Sequence, residues 1–359
     1  MRKWYLIWLL VLPLAMWAQY SIPLSEEDNG NMYLTVSIGG LAVDFTFDTG
    51  CSSVSINRNI FHEMLRRGII KREDVYDELE AEMANGERHV VQRFFIKRMQ
   101  IGDYELHNIQ ASVGVDDQPD ATPLFGQSVL ERFSSYTISN NRLYFKPKPE
   151  DEQMALYQAT RLRNDTTSAS QRQIAEALKP FVNRLSPRYL VIYAEALRKT
   201  GEYKQAIAMY HRIKESGIYR EDEQYSLQER LVHAEIWYAE RLYNDSLYDE
   251  CEQMANTVLQ HAQPAKKYQE EIRYVYNLLC YLHLLQNDYA RAEQSIIRYA
   301  NAVLAPNTCN DLLKKTLPAN EELAKLFYYL SNHFAVIEDY ESAQRYKRLC
   351  DNIGGYSQP

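Results

Sequence analysis

The sequence lacks the signatures of metal, nucleotide and serine-nucleophile chemistry. Its eight histidines contain no His-Glu-x-x-His pair, and the chain has no Gly-rich phosphate loop and no Gly-x-Ser-x-Gly. No metal and no cofactor are therefore expected. Positive charge is short as well: 40 Lys and Arg face 48 Asp and Glu, a net charge of -8, which leaves no basic footprint for nucleic acid. Cysteine is sparse. Cys51, Cys251, Cys280, Cys309 and Cys350 show no Cys-x-x-Cys spacing; Cys251 and Cys280 fall on apolar helix faces as buried thiols, and a bridge among the last four stays open.

Apart from the N-terminus, no long apolar run occurs. There, MRKWYLIWLLVLPLAMWA sets Arg2 and Lys3 before an apolar run from Trp4 to about Trp17, then small Ala18. This predicts a secretory signal over 1–18, with the mature chain starting near Gln19 in the periplasm or outside the cell. The run is short for a bilayer core of about 30 Å. No cysteine follows it to accept lipid.

The remaining chain is long enough for two domains, and its halves differ in pattern. From Met32 to Phe145 apolar residues alternate with period two, as in Tyr33-Leu34-Thr35-Val36-Ser37-Ile38, then Gly39-Gly40, then Val43-Asp44-Phe45-Thr46-Phe47. Further strands are expected over His89 to Lys97, Met99 to Ile101, Ile109 to Val115, Tyr136 to Ile138 and Leu143 to Phe145, with one helix over Ile60 to Arg67. The acidic stretch from Arg72 to Glu82 reads as solvated surface or a helix start. Lys146-Pro147-Lys148-Pro149 breaks the pattern.

Beyond Pro187 paired helices are expected. Leu190, Tyr193, Ala194 and Leu197 share one face, Gly201-Glu202-Tyr203 turns, and Ala206, Ile207, Tyr210 and Ile213 share the next. This hairpin resembles a tetratricopeptide repeat at Ala194, Gly201, Tyr203 and Ala206. Comparable turns recur before Tyr248, Tyr289 and Tyr340, at spacings of 45, 41 and 51 residues, irregular beside a repeat of roughly 34. The expectation is a tetratricopeptide-like array over 187–355, preceded by a linker and connecting helices over 147–186. Such an array would offer a surface for a protein partner.

Chemistry concentrates at Asp48-Thr49-Gly50. The bare triplet is weak, because Asp and Gly are common turn formers. Its context is stronger: an apolar strand ends at Phe47, and alternation resumes at Ser53-Val54-Ser55-Ile56. With the hairpin before it, the Ala84-Asn85-Gly86 turn, and Leu124-Phe125-Gly126 followed by Ser128 to Phe133, this stretch resembles the retropepsin-like aspartic peptidases, single-domain dimeric relatives of pepsin. The resemblance covers roughly residues 30 to 146, within a domain taken as 19–146, and implies an all-β barrel with one short helix.

The resemblance makes Asp48 the catalytic residue, within an active-site loop of Thr49, Gly50 and Cys51. Thr49 would brace the loops across a dimer, Gly50 would permit a tight turn, Gly126 would pack against the loop, and Ala84, Asn85 and Gly86 would form a flap over substrate. The chemistry needs two carboxylates about 3 Å apart sharing one proton, for which aspartic proteases are the standard example. This chain carries one such triplet, so a homodimer acting on a peptide or protein substrate is implied. Two positions depart from the family: Cys51 stands where Ala or Ser is usual, and Gln127 where retroviral members often carry Arg, so the bracing there must differ. A Cys51 nucleophile would need His62, His89 or His107 as base, and no spacing supports that. The alternative function is an extracytoplasmic binding protein whose peptidase-like domain is inactive.

Overall fold

The computed structural model describes residues 19–26, 30–82, 86–114, 121–217, 221–262 and 266–356. The expected signal segment lies outside the described residues. Two compact units are present: one runs to Asp165 and includes Glu176–Ser186, the other comprises Thr166–Ala175 and the chain from Pro187. Among the described residues, no helix is long and apolar enough to cross a membrane.

The first unit is built on strands β1 (Tyr20–Pro23), β2 (Ser25–Glu26), β3 (Met32–Ile38), β4 (Leu41–Phe47), β5 (Val54–Ile56), β6 (Val75–Glu82), β7 (Arg88–Ile101), β8 (Tyr104–Gly114), β9 (Leu124–Phe125), β10 (Phe133–Ser139) and β11 (Arg142–Pro147). The larger sheet has the order β2-β3-β4-β9-β5-β8-β7-β6, and a further β3 to β7 pairing closes it on itself. A smaller sheet has the order β1-β11-β10. Ile38 pairs with Leu41 and leaves a two-residue turn, where Gly39 and Gly40 take φ of 57° and 86°. Positive φ at both positions matches the right-handed twist of the flanking strands, and glycine adopts it without steric cost. The register places Leu34, Val36, Ile38, Val43 and Phe45 inside, together with Phe94, Ile96, Met99 and Phe125.

Three local expectations are corrected. The region 19–146 holds two α-helices, α1 (Arg58–Arg66) and α2 (Gln127–Leu130), besides a 3-10 turn at Arg72–Asp74. A helix as short as α2 leaves no readable periodicity. The acidic stretch becomes that turn followed by β6, because pairing with β7 satisfies its backbone despite unfavourable strand residues. What looked like two strands from His89 to Ile101 is one continuous β7. After Pro149, α3 (Glu150–Leu162) opens with three acidic residues, which favours the positive end of its dipole. Buried Glu152 is compensated by Lys148 and Arg184, each at 2.9 Å. Next comes α4 (Ser168–Leu178).

Four helical hairpins form the second unit's main body: α5 (Pro187–Lys199) with α6 (Tyr203–Glu215), α7 (Glu221–Asn244) with α8 (Tyr248–Ala262), α9 (Gln269–Leu285) with α10 (Tyr289–Leu304), and, after α11 (Cys309–Leu312), α12 (Glu321–Val336) with α13 (Tyr340–Asn352). All four share one turn. Gly201, Ser246, Asn287 and Glu338 take φ of 86°, 61°, 57° and 63°, each two residues before the tyrosine that opens the second helix. The following amide donates back to the carbonyl of Leu197, Leu242, His283 or Phe334 at 2.8–2.9 Å, closing the first helix. The spacing is irregular because α7 is 24 residues long and α11 is inserted before the last pair. All five cysteines are free thiols, and all but Cys51 are buried.

Candidate active site

The Asp48 loop is held from both sides by two residues of β9. β4 pairs with β9 in parallel, Phe47 opposite Phe125, and β5 returns antiparallel with Ser55 opposite Leu124. The Asp48 amide donates to the Phe125 carbonyl at 3.1 Å, and Thr46 donates to Pro123 at 2.9 Å. Asp48 thus leaves a paired strand at a position set by backbone bonds rather than by its own side chain. Phe47 stacks on Phe125 at 6.1 Å between ring centroids beneath the loop.

The turn is tight around the carboxylate. The Gly50 amide donates to Asp48 Oδ1 at 2.8 Å. A Cβ on Gly50 would stand 3.1 Å from that oxygen, so a side chain would press on the carboxylate. Asp48 is half-buried, whereas Thr49 and Gly50 are exposed. Among the described residues no cation lies within salt-bridge distance of Asp48, which leaves its remaining lone pairs available for a water or a second carboxyl.

Gly126 sits against the loop. A Cβ there would lie 2.2 Å from the Ser53 carbonyl oxygen and 2.6 Å from that of Cys51, distances no side chain tolerates. The next residue supplies the bracing. Gln127 donates from its backbone to the Cys51 carbonyl at 2.8 Å and from Nε2 to the Thr49 carbonyl at 2.7 Å.

Two supports escape sequence reasoning. Buried Ser128 accepts from the Val54 amide at 2.8 Å and donates to the Gln110 carbonyl at 2.7 Å, which ties β5 to β8 behind the loop. Buried Asn57 caps α1 through the Ile60 amide at 2.9 Å and donates to the Ala121 carbonyl at 2.9 Å. The available signal was polarity out of place: a serine directly before Val129-Leu130, and an asparagine directly after an apolar strand.

Cys51 is half-buried, and its Sγ donates to the Ser53 carbonyl at 3.1 Å. Burial pushes its thiol up, the bond to Ser53 pulls the other way, and the nearby Asp48 charge raises it further. A neutral thiol tied to the backbone is a poor nucleophile.

The turn named as a flap falls in the sequence between β6 and β7. Ala84 and Asn85 lie outside the described residues, and Gly86 takes φ of 82°. The hairpin is braced nearer its base by Tyr76 stacked on Phe95 at 4.7 Å and by an ion pair between Arg93 and Asp77. Among the described residues, no cluster of His, Cys, Asp and Glu could hold a metal ion.

Residues 34–132, which include Asp48, Gly126 and strands β6 and β7, match the family model "gag-polyprotein putative aspartyl protease". Among solved structures, a retropepsin-like aspartic protease from Rickettsia conorii is 22% identical, with 36% of this chain and 91% of that one covered at a TM-score of 0.28. BtubC (BKLC) from P. vanneervenii is 15% identical, with 58% and 89% covered at a TM-score of 0.30. No curated protein matches the chain. Over residues 34–132, the chain is therefore similar to aspartyl proteases of the gag-polyprotein kind.

Proposed function

We propose that the protein is an exported aspartic endopeptidase, active as a homodimer, in which Asp48 of each chain contributes one carboxylate to a shared dyad. One carboxylate takes a proton from the attacking water while the protonated partner polarises the scissile carbonyl. Two like charges so close cannot both ionise, so the dyad holds one proton and works best on the acid side of neutral. The C-terminal array, read as tetratricopeptide-like, recruits a partner or substrate.

The observation that carries this reading is the Asp48 loop itself. Its carboxylate meets no cation among the described residues, a side chain at Gly50 would crowd it at 3.1 Å, and the Gly126-Gln127 step locks the loop in place. A purely structural turn has no need of so exact a cradle around a half-exposed carboxylate.

Subunit mixing tests the dyad. Parent protein mixed with an equal amount of Asp48→Asn chains, and allowed to exchange, leaves about a quarter of the dimers with two Asp48 side chains if pairing is random. Activity per parent chain then falls by about half. Activity that follows parent concentration alone overturns the two-chain site.

A further inference from the structure

A cavity of about 640 Å³ opens in the helical unit between α7, α9, α10 and α12. That volume suits a ligand of substantial size. Its walls combine exposed aromatics with uncompensated acid. Trp237 and Tyr274 line it while remaining 39% and 43% exposed.

Four carboxylates line the cavity against a single cation, Arg273. Arg273 is already committed, donating to Glu270 at 2.7 Å and to the Ala302 carbonyl at 3.0 Å. Glu271 meets His233 at 3.1 Å. The other two face neutral groups: Glu240 lies near Tyr274, and Glu322 accepts from Asn277 at 3.2 Å and from the Tyr281 hydroxyl. Among the described residues, neither Glu240 nor Glu322 has a cation within salt-bridge distance. Arg198 already holds its guanidinium over the Trp237 ring, 4.4 Å from the centroid, so the ring stacks a cation and a ligand side chain would use its other face.

We infer that this groove binds a polypeptide segment carrying at least two arginine or lysine side chains, stacked on Trp237 and Tyr274 and paired with Glu240 and Glu322. Glu240 belongs to α7 and Glu322 to α12, with α9 between them supplying Asn277 and Tyr281. A ligand that reaches both therefore needs length and two separated positive charges, which a basic peptide has and a single small cation lacks. Nothing in the groove depends on catalysis at Asp48.

The test uses the full chain carrying Asp48→Asn, so that the probe stays intact. A fluorescein-labelled peptide with two arginines separated by Gly-Ser spacers is titrated by anisotropy, beside the same peptide with glutamates for arginines. The basic peptide binds and the acidic one does not. Glu240→Gln with Glu322→Gln weakens binding about tenfold or more while keeping hydrogen-bond acceptors for Tyr281 and Asn277. Trp237→Ala weakens it comparably, and Glu341→Gln, an exposed residue on α13, leaves it unchanged. Circular dichroism melting shows that the variants remain folded. Equal loss in Glu341→Gln, no effect of the groove variants, no binding of the basic peptide, or full displacement by equimolar spermine overturns the inference.

Discussion

The side chain of Gln127 donates to the carbonyl of Thr49 at 2.7 Å, across 78 positions of sequence, while its own amide holds Cys51. One residue at the start of α2 thus fixes both sides of the Gly50 turn. Gln127→Ala removes the side-chain bond alone, and a bond of this kind contributes about 1 kcal/mol. Urea denaturation is expected to show that modest loss, with a larger fall in peptide cleavage because the carboxylate is no longer held. Gly126→Ala is far more severe, since its Cβ meets two carbonyl oxygens below van der Waals distance. Displacing that loop is expected to cost about 2 kcal/mol or more, and a native denaturation midpoint in this variant would contradict the packing described.

Cys51 is expected to behave as a small filler of the loop. Burial raises its thiol, so it should react slowly with a thiol reagent at neutral pH and rapidly once the chain is denatured. Cys51→Ser keeps a donor for the Ser53 carbonyl and should retain most of the parental cleavage rate. Loss of cleavage in this variant would point to the thiol rather than Asp48.

Acid should weaken the helical unit through Glu195. Burial alone would raise this carboxyl, but hydrogen bonds from Arg198 and Tyr210 and the charges of Arg198 and Arg230 more than offset it, holding it at about 2. In the unfolded chain it takes its proton near pH 4.5. Its contribution is therefore fully present above that pH and is lost as pH falls toward 2, on the order of 3 kcal/mol in all. Thermal melts of Glu195→Gln should show a shallower decline than the parent across that window; parallel curves would refute the assignment.

The four hairpin turns are not equally comfortable. Gly201 occupies its left-handed conformation freely, whereas Ser246 and Glu338 hold the same conformation with a side chain. That conformation costs an L-residue about 1–2 kcal/mol. Glu338→Gly should therefore raise the melting temperature despite the added entropy of the unfolded chain, and Gly201→Ala should lower it. The opposite signs would show that the turn is governed by side-chain contacts.

Much of this was legible in the sequence because it was written in local pattern. Alternation around Gly39-Gly40 gave the β3–β4 hairpin and its register, and the residue two places before Tyr203, Tyr248, Tyr289 and Tyr340 marked four turns. The closeness of Gly126 to the Asp48 loop followed from the family resemblance, which stands in for the long-range contact that pattern cannot show. Gln127, Ser128 and Asn57 were not legible as supports, because their partners Thr49, Val54 and Ala121 lie 64 to 78 positions away. The acidic β6 misled for a physical reason: its strand state comes from pairing with β7, not from its own residues.

The most direct measurement compares the chain from Gln19 onward with its Asp48→Asn variant on a diverse peptide mixture, from roughly pH 3 to pH 8 to span the carboxylate and histidine ranges. Cleavage is read by mass spectrometry. Cutting by the parent on the acid side of neutral, absent from the variant, is the predicted result. Equal cutting by both, or none from a folded dimer, would contradict a catalytic Asp48 and leave the protein a binding module.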